Sequence, residues 1–164
     1  MTNCGFEADG GGLSDWTTNG YSYGHSVVAS GGHSASTGNG VGRDATISQV
    51  IATAAGTQYQ IVFDTYQEGG TPNETLLSFG GVQIGALENA AEGWVEHTYS
   101  VTATSISTVL EISQGNNPGT AYLDNVIVTS AQASTPEPAT WQIAVVTLAL
   151  GAAWRRRQVL LPRN

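Results

Sequence analysis

After residue 45, apolar and polar side chains alternate with a period of two, the pattern of strands that bury one face. "ATISQVIA" (45–52) and "TQYQIVFDTY" (57–66) are two such stretches, and the "TAAG" between them predicts a hairpin turn. In the second stretch Tyr59, Ile61 and Phe63 share one face, while Gln58, Gln60 and Asp64 share the other. "ETLLSFGGVQIG" (74–85) predicts two short strands around Gly80-Gly81. "VEHTYSVTAT" (95–104) sets Tyr99 and Val101 against Thr98 and Ser100; "TVLEISQ" (108–114) and "GTAYLDNVIVT" (119–129) continue the series. Nearer the start, "NCGFE" (3–7) and "YGHSVVAS" (23–30) are further strand candidates. About eight to ten short strands at roughly ten-residue spacing, with no helical pattern before residue 139, predict an all-β fold, an antiparallel β-sandwich. No repeat of fixed period points to a solenoid or propeller.

Composition sharpens this picture where charge is concerned. The chain has no lysine, and of its five basic residues only Arg43 precedes residue 155; all thirteen acidic residues lie at or before Glu137. A body this anionic has nothing to neutralise phosphates, which excludes nucleic-acid binding. It suits an extracytoplasmic protein and offers carboxylates for divalent cations. Cys4 is alone, so no internal disulfide forms.

The C-terminus departs from the strand pattern. From Ala139 to Trp154 the chain is apolar apart from Thr140, Gln142 and Thr147, with Trp141 and Trp154 near its ends and Arg155, Arg156 and Arg157 directly after it. A helix of this length rises about 24 Å, against the ~30 Å core of a bilayer, so it predicts a short membrane span. The arginines set the following residues in the cytoplasm and the body outside it. Pro136 and Pro138 hold the preceding segment extended around Glu137. The division expected is a sandwich body (1–130), an extended linker (131–138), a transmembrane helix (139–154) and a basic cytoplasmic tail (155–164).

Pro-Glu-Pro, a short membrane helix and an arginine cluster at a C-terminus resemble the PEP-CTERM sorting signal. The resemblance implies a substrate of exosortase, a membrane protease of exopolysaccharide-producing Gram-negative bacteria. Pro136, Glu137 and Pro138 would be its recognition element, and Arg155, Arg156 and Arg157 would hold the tail in the membrane. The protein is then exported, anchored in the inner membrane before processing, and afterwards found at the cell surface or in an extracellular biofilm matrix. "MTNCGFEADG" has neither the basic start nor the apolar stretch of a signal peptide, so the expectation is that the true start lies further upstream.

The ends of the body carry a second resemblance. "NCGFEADGGGLSDWTTNG" is similar to the opening, and "AYLDNVIVT" to the closing strand, of jelly-roll carbohydrate-binding modules and galactose-binding-like domains. Cys4 departs from the glycine usual there. By this resemblance Glu7 and Asp124 help hold a structural calcium ion, with carbonyls around Gly31-Gly32 as further oxygens. Sugar stacking needs exposed aromatic faces, for which Tyr21, Tyr23, Tyr66, Trp94 and Tyr122 are the candidates, while Trp16 suits the core.

Catalytic signals are few. His25, His33 and His97 have no metal-ligand spacing and read as surface or strand histidines. No Gly-x-Ser-x-Gly elbow appears, and the glycine clusters lack the lysine of a phosphate loop. Glu92 and Glu96 flank Trp94 and read as solvated. The function expected is non-catalytic association with polysaccharide. The alternatives are a structural matrix protein without a ligand site, and a secreted hydrolase.

Overall fold

The computed structural model describes residues 1–24, 26–42 and 45–131. They form ten strands in chain order: β1 (Thr17–Asn19), β2 (Ser22–Gly24), β3 (Ser34–Thr37), β4 (Ala45–Ala52), β5 (Gln58–Gln67), β6 (Asn73–Phe79), β7 (Val82–Glu88), β8 (Gly93–Thr102), β9 (Ser107–Asn116) and β10 (Ala121–Ser130). The strands make two five-stranded antiparallel sheets. The back sheet runs β1-β4-β9-β6-β7 and the front sheet β2-β3-β10-β5-β8.

Alternation places the core between the sheets. Ile47, Ile51, Leu77, Phe79, Leu110 and Ile112 from the back sheet and Ile61, Phe63, Leu123 and Val126 from the front sheet belong to one buried cluster. Each side chain of this size contributes roughly 1.5–3 kcal/mol by leaving water. Tyr59 and Phe79 meet across the two sheets at 6.3 Å between ring centroids. Trp16 is in the core, as its sequence position suggests, 5.6 Å from Phe6. Gly85 on β7 lies under the Tyr99 ring; a Cβ there would stand 2.5 Å from that ring. Only glycine lets the edge of the back sheet approach so closely.

The expected strands from 45 onward are present, and Gly80-Gly81 turns β6 into β7 as predicted. Three expectations are corrected. "TAAG" is no hairpin: β4 and β5 lie in different sheets, and the segment crosses from one to the other. Thr53 N–H donates to Ile106 O and Gly56 N–H to Ala103 O, so it is held by the β8–β9 connection, which crosses beside it. "NCGFE" is a turn, because Asn3 and Phe6 adopt φ of 48° and 57°, which no strand accommodates. Of the described residues in "YGHSVVAS", Tyr23 and Gly24 are in a strand and residues 26–30 are in bends and loop.

Among the described residues no helix is long and apolar enough to cross a membrane. The membrane helix expected over 139–154, the Pro136–Pro138 motif and the arginines at 155–157 lie outside the described residues.

Candidate functional site

On β5 the inward residues are Tyr59, Ile61, Phe63, Thr65 and Gln67, which leaves Val62, Asp64 and Tyr66 on the outer face of the front sheet. Register then builds a row at one end of that face. Ser22 pairs with Ser36, Ser36 with Tyr122, Tyr122 with Tyr66, and Tyr66 with Trp94, one residue from each strand of the sheet. At ~4.8 Å between strands, the three ring positions span roughly 10 Å across the sheet. Tyr66 is 5.7 Å from Trp94, tilted 57°, and 5.7 Å from Tyr122 in an edge-on arrangement. Tyr122 is largely covered but lies outside the core cluster, consistent with its place on the outer face.

Carboxylates border the rings. Tyr66 Oη donates to Glu92 Oε1 at 3.0 Å. That bond, with the charges of Glu92 and Glu68, holds the phenol above its ordinary pKa, so it stays a donor. Two residues along each strand, Asp124, Asp64 and Glu96 form the next row. Asp64 Oδ2 accepts from Asn125 Nδ2 at 2.8 Å. Glu92 and Glu96 are both exposed, as expected, and Glu92 also accepts from Tyr66.

Two of the five aromatic candidates stand apart from this row. Tyr21 packs against the core and donates to the buried Gln114 Oε1 at 2.8 Å. Tyr23 is exposed on β2, 6.4 Å from His33. Ser22, Ser36, Asp64 and Glu68 were not singled out in the sequence; polar residues in a polar-rich chain become visible as a site only through register.

Glu7 and Asp124 both approach Gly5, where a Cβ would be 3.8 Å from Glu7 Cγ and from Asp124 Oδ1. Their oxygens are taken up by loop donors. Glu7 Oε1 accepts from the N–H groups of Gly32 (2.6 Å) and His33 (2.8 Å), and Glu7 Oε2 contacts His33 Nδ1 at 2.8 Å. Asp124 Oδ2 accepts from Ala29 and Ser30 N–H, and Oδ1 from Asn125 N–H. The His33 bond and the two N–H groups hold Glu7 below its ordinary pKa, whereas burial pushes Asp124 up. Calcium needs six to eight oxygens. Here the loop turns N–H groups, not carbonyls, onto Glu7, and among the described residues no three His, Cys, Asp or Glu side chains converge. In this arrangement both carboxylates are held by N–H donors.

Of the remaining histidines, His97 faces inward, with Nε2 2.8 Å from Thr65 Oγ1 and its ring 5.4 Å from Phe63, and His25 lies outside the described residues. A separate groove of about 500 Å³ opens on the back sheet, lined by residues that include Ser78, Thr104, Ser105, Thr108 and Glu111. No aromatic lines it. Stacking needs a ring face more than a concavity, so the aromatic row is the stronger candidate.

No family model matches the chain, and no curated protein matches it. Solved structures do. A family 61 carbohydrate-binding module in complex with β-1,4-galactotriose superposes with a TM-score of 0.58 at 18% identity, over 79% of this chain and 97% of the module. This protein shares that fold. The CBM22-1 xylan-binding domain from Paenibacillus barcinonensis gives 0.57 at 14%, over 79% of this chain and 93% of the domain. An arabinose-bound α-L-arabinofuranosidase gives 0.63 at 8%, with 83% of this chain on 27% of the enzyme.

Proposed function

We propose that this chain is an exported, non-catalytic polysaccharide-binding β-sandwich that uses the Tyr122–Tyr66–Trp94 row as its contact surface. The observation that carries this reading is register. Three aromatics far apart in sequence fall side by side on the outer face of one sheet, with hydroxyl and carboxylate groups around them. Aromatic faces stack on the C–H faces of sugar rings, and the bordering oxygens accept from sugar hydroxyls. The fold shared with carbohydrate-binding modules supports it. Affinity electrophoresis of the full chain in gels containing soluble neutral glycans tests it. Retardation by at least one glycan, clearly reduced in Trp94→Ala, is the expected result. Equal mobility in all gels would leave the structural-matrix alternative in its place.

The tail supplies location. Pro136, Glu137 and Pro138 are read as an exosortase recognition motif, residues 139–154 as a temporary inner-membrane anchor and Arg155–Arg157 as its cytoplasmic retention element. The mature protein then resides at the cell surface or in the polysaccharide matrix. Intact-mass measurement in an exosortase-bearing host tests this part: wild type is cut near residue 138 and a Pro136→Ala, Glu137→Ala variant is not.

A further inference from the structure

The carboxylates around the aromatic row carry information about which sugar it takes. Asp64 on β5 stands directly opposite Glu96 on β8, on the same outer face as Tyr66 and Trp94 and one side-chain row away. Like charges at directly opposed strand positions destabilise a sheet. No ion pair among the described residues relieves this one, and Asp64 is held by a neutral amide, that of Asn125. Glu92 sits on the Tyr66 hydroxyl, and Glu68 adds its charge to the same ring. The core does not need these acids, since the face they occupy points away from it.

We infer that the front face selects an amine-bearing, cationic polysaccharide over neutral and anionic ones, an inference that rests on the aromatic row being the glycan-binding surface. An ammonium group on the sugar relieves the Asp64–Glu96 repulsion and accepts two kinds of contact at once. It makes charge-assisted hydrogen bonds to carboxylates, about twice as strong as neutral ones. It also gains from the electron-rich faces of Trp94 and Tyr66, because aromatics combined with carboxylates are the composition that recognises organic cations. A uronic-acid polymer meets the same carboxylates as repulsion. The loss of affinity on adding salt follows from the exposure of Glu96.

The test compares glucosamine oligomers with the same oligomers fully N-acetylated, and with oligogalacturonate, by calorimetry on the full-length chain. The N-acetylated set keeps the backbone and removes only the charge. The expected result is binding of the amine form about tenfold tighter than its acetylated counterpart at low salt, with no binding of the uronate. Asp64→Asn with Glu96→Gln brings that ratio to about one, whereas Glu88→Gln with Glu111→Gln, equal in charge but on the back sheet, leaves it unchanged. A wild-type ratio of one or less, or a ratio that responds equally to both double variants, overturns the inference. If the amine and acetylated oligomers bind equally and Trp94→Ala weakens both, the aromatic-row reading stands while this inference falls. Absence of binding to any glycan removes both.

Discussion

Glu7 and His33 meet side chain to side chain at 2.8 Å, and the same carboxylate accepts the backbone N–H groups of Gly32 and His33. One exposed residue of the N-terminal turn thus ties down the loop that leads into β3. Gly31 is required beneath it, because a Cβ at that position, already at φ +63°, would collide with Glu7 Oε1.

This contact has a pH signature. Glu7 titrates below its ordinary 4.5 in the folded state, so its contribution is present above that value and is lost as pH falls through the folded pKa. Asp124, pushed up by burial, has the opposite sign: its ionisation opposes folding, and acidification relieves it in the window above 3.8. Glu7→Gln is expected to melt below wild type at neutral pH, and the gap to close once wild-type Glu7 is protonated. Melting curves from pH 3 to 8 check this. The same instrument tests calcium: because N–H donors occupy the carboxylates, neither added calcium nor a chelator is expected to move the melting temperature.

The aromatic row predicts a separation of binding from stability. Trp94→Ala is expected to weaken glycan binding about tenfold, ~1.4 kcal/mol, while leaving the melting temperature nearly unchanged, since Trp94 is half-buried outside the core. Tyr122→Ala is expected to lower both, because only 9% of Tyr122 is exposed and its removal leaves a void worth about 3 kcal/mol. Titration calorimetry beside thermal melts measures the two effects independently.

Tyr21 marks the contrast. Its hydroxyl donates to Gln114 Oε1, and Gln114 Nε2 in turn donates to Thr75 Oγ1 at 3.1 Å inside the sandwich. Tyr21→Phe is expected to cost about 1 kcal/mol or more of stability, by weakening the satisfaction of a buried amide, and to leave glycan affinity at the wild-type value. Urea denaturation paired with a binding isotherm distinguishes this from a contact role.

His97 gives the sandwich a second pH response. Its partial burial against Phe63 lowers its pKa below 6.5, with Asp64 acting weakly the other way. The unfolded chain therefore binds the proton more readily, and stability falls as pH drops below 6.5 toward the folded value. His97→Gln is expected to flatten the melting curve between pH 7 and 5 relative to wild type.

Period-two alternation is a local signal, and it determined much of this fold by itself. Tyr59, Ile61 and Phe63 had to face the same way, Gly80-Gly81 had to turn, and Trp16 had to seek the core, because a strand's side chains alternate whatever it pairs with. Partnership is not local. "TAAG" looks like a hairpin until the opposing sheet claims β5, and "NCGFE" looks like a strand until positive φ at Asn3 and Phe6 bends it into a turn. β1 and β3, read as "TTN" and "SAST", carry no apolar alternation and exist because their neighbours offer open edges. The site divides in the same way. Tyr66, Trp94 and Tyr122 were recognisable one by one as stacking residues, but only backbone hydrogen bonding across β10, β5 and β8 sets them in a line, with Asp64 facing Glu96 beside them. Which residue stands opposite which is a property of the assembled sheet, since it depends on contacts between strands that are dozens of positions apart.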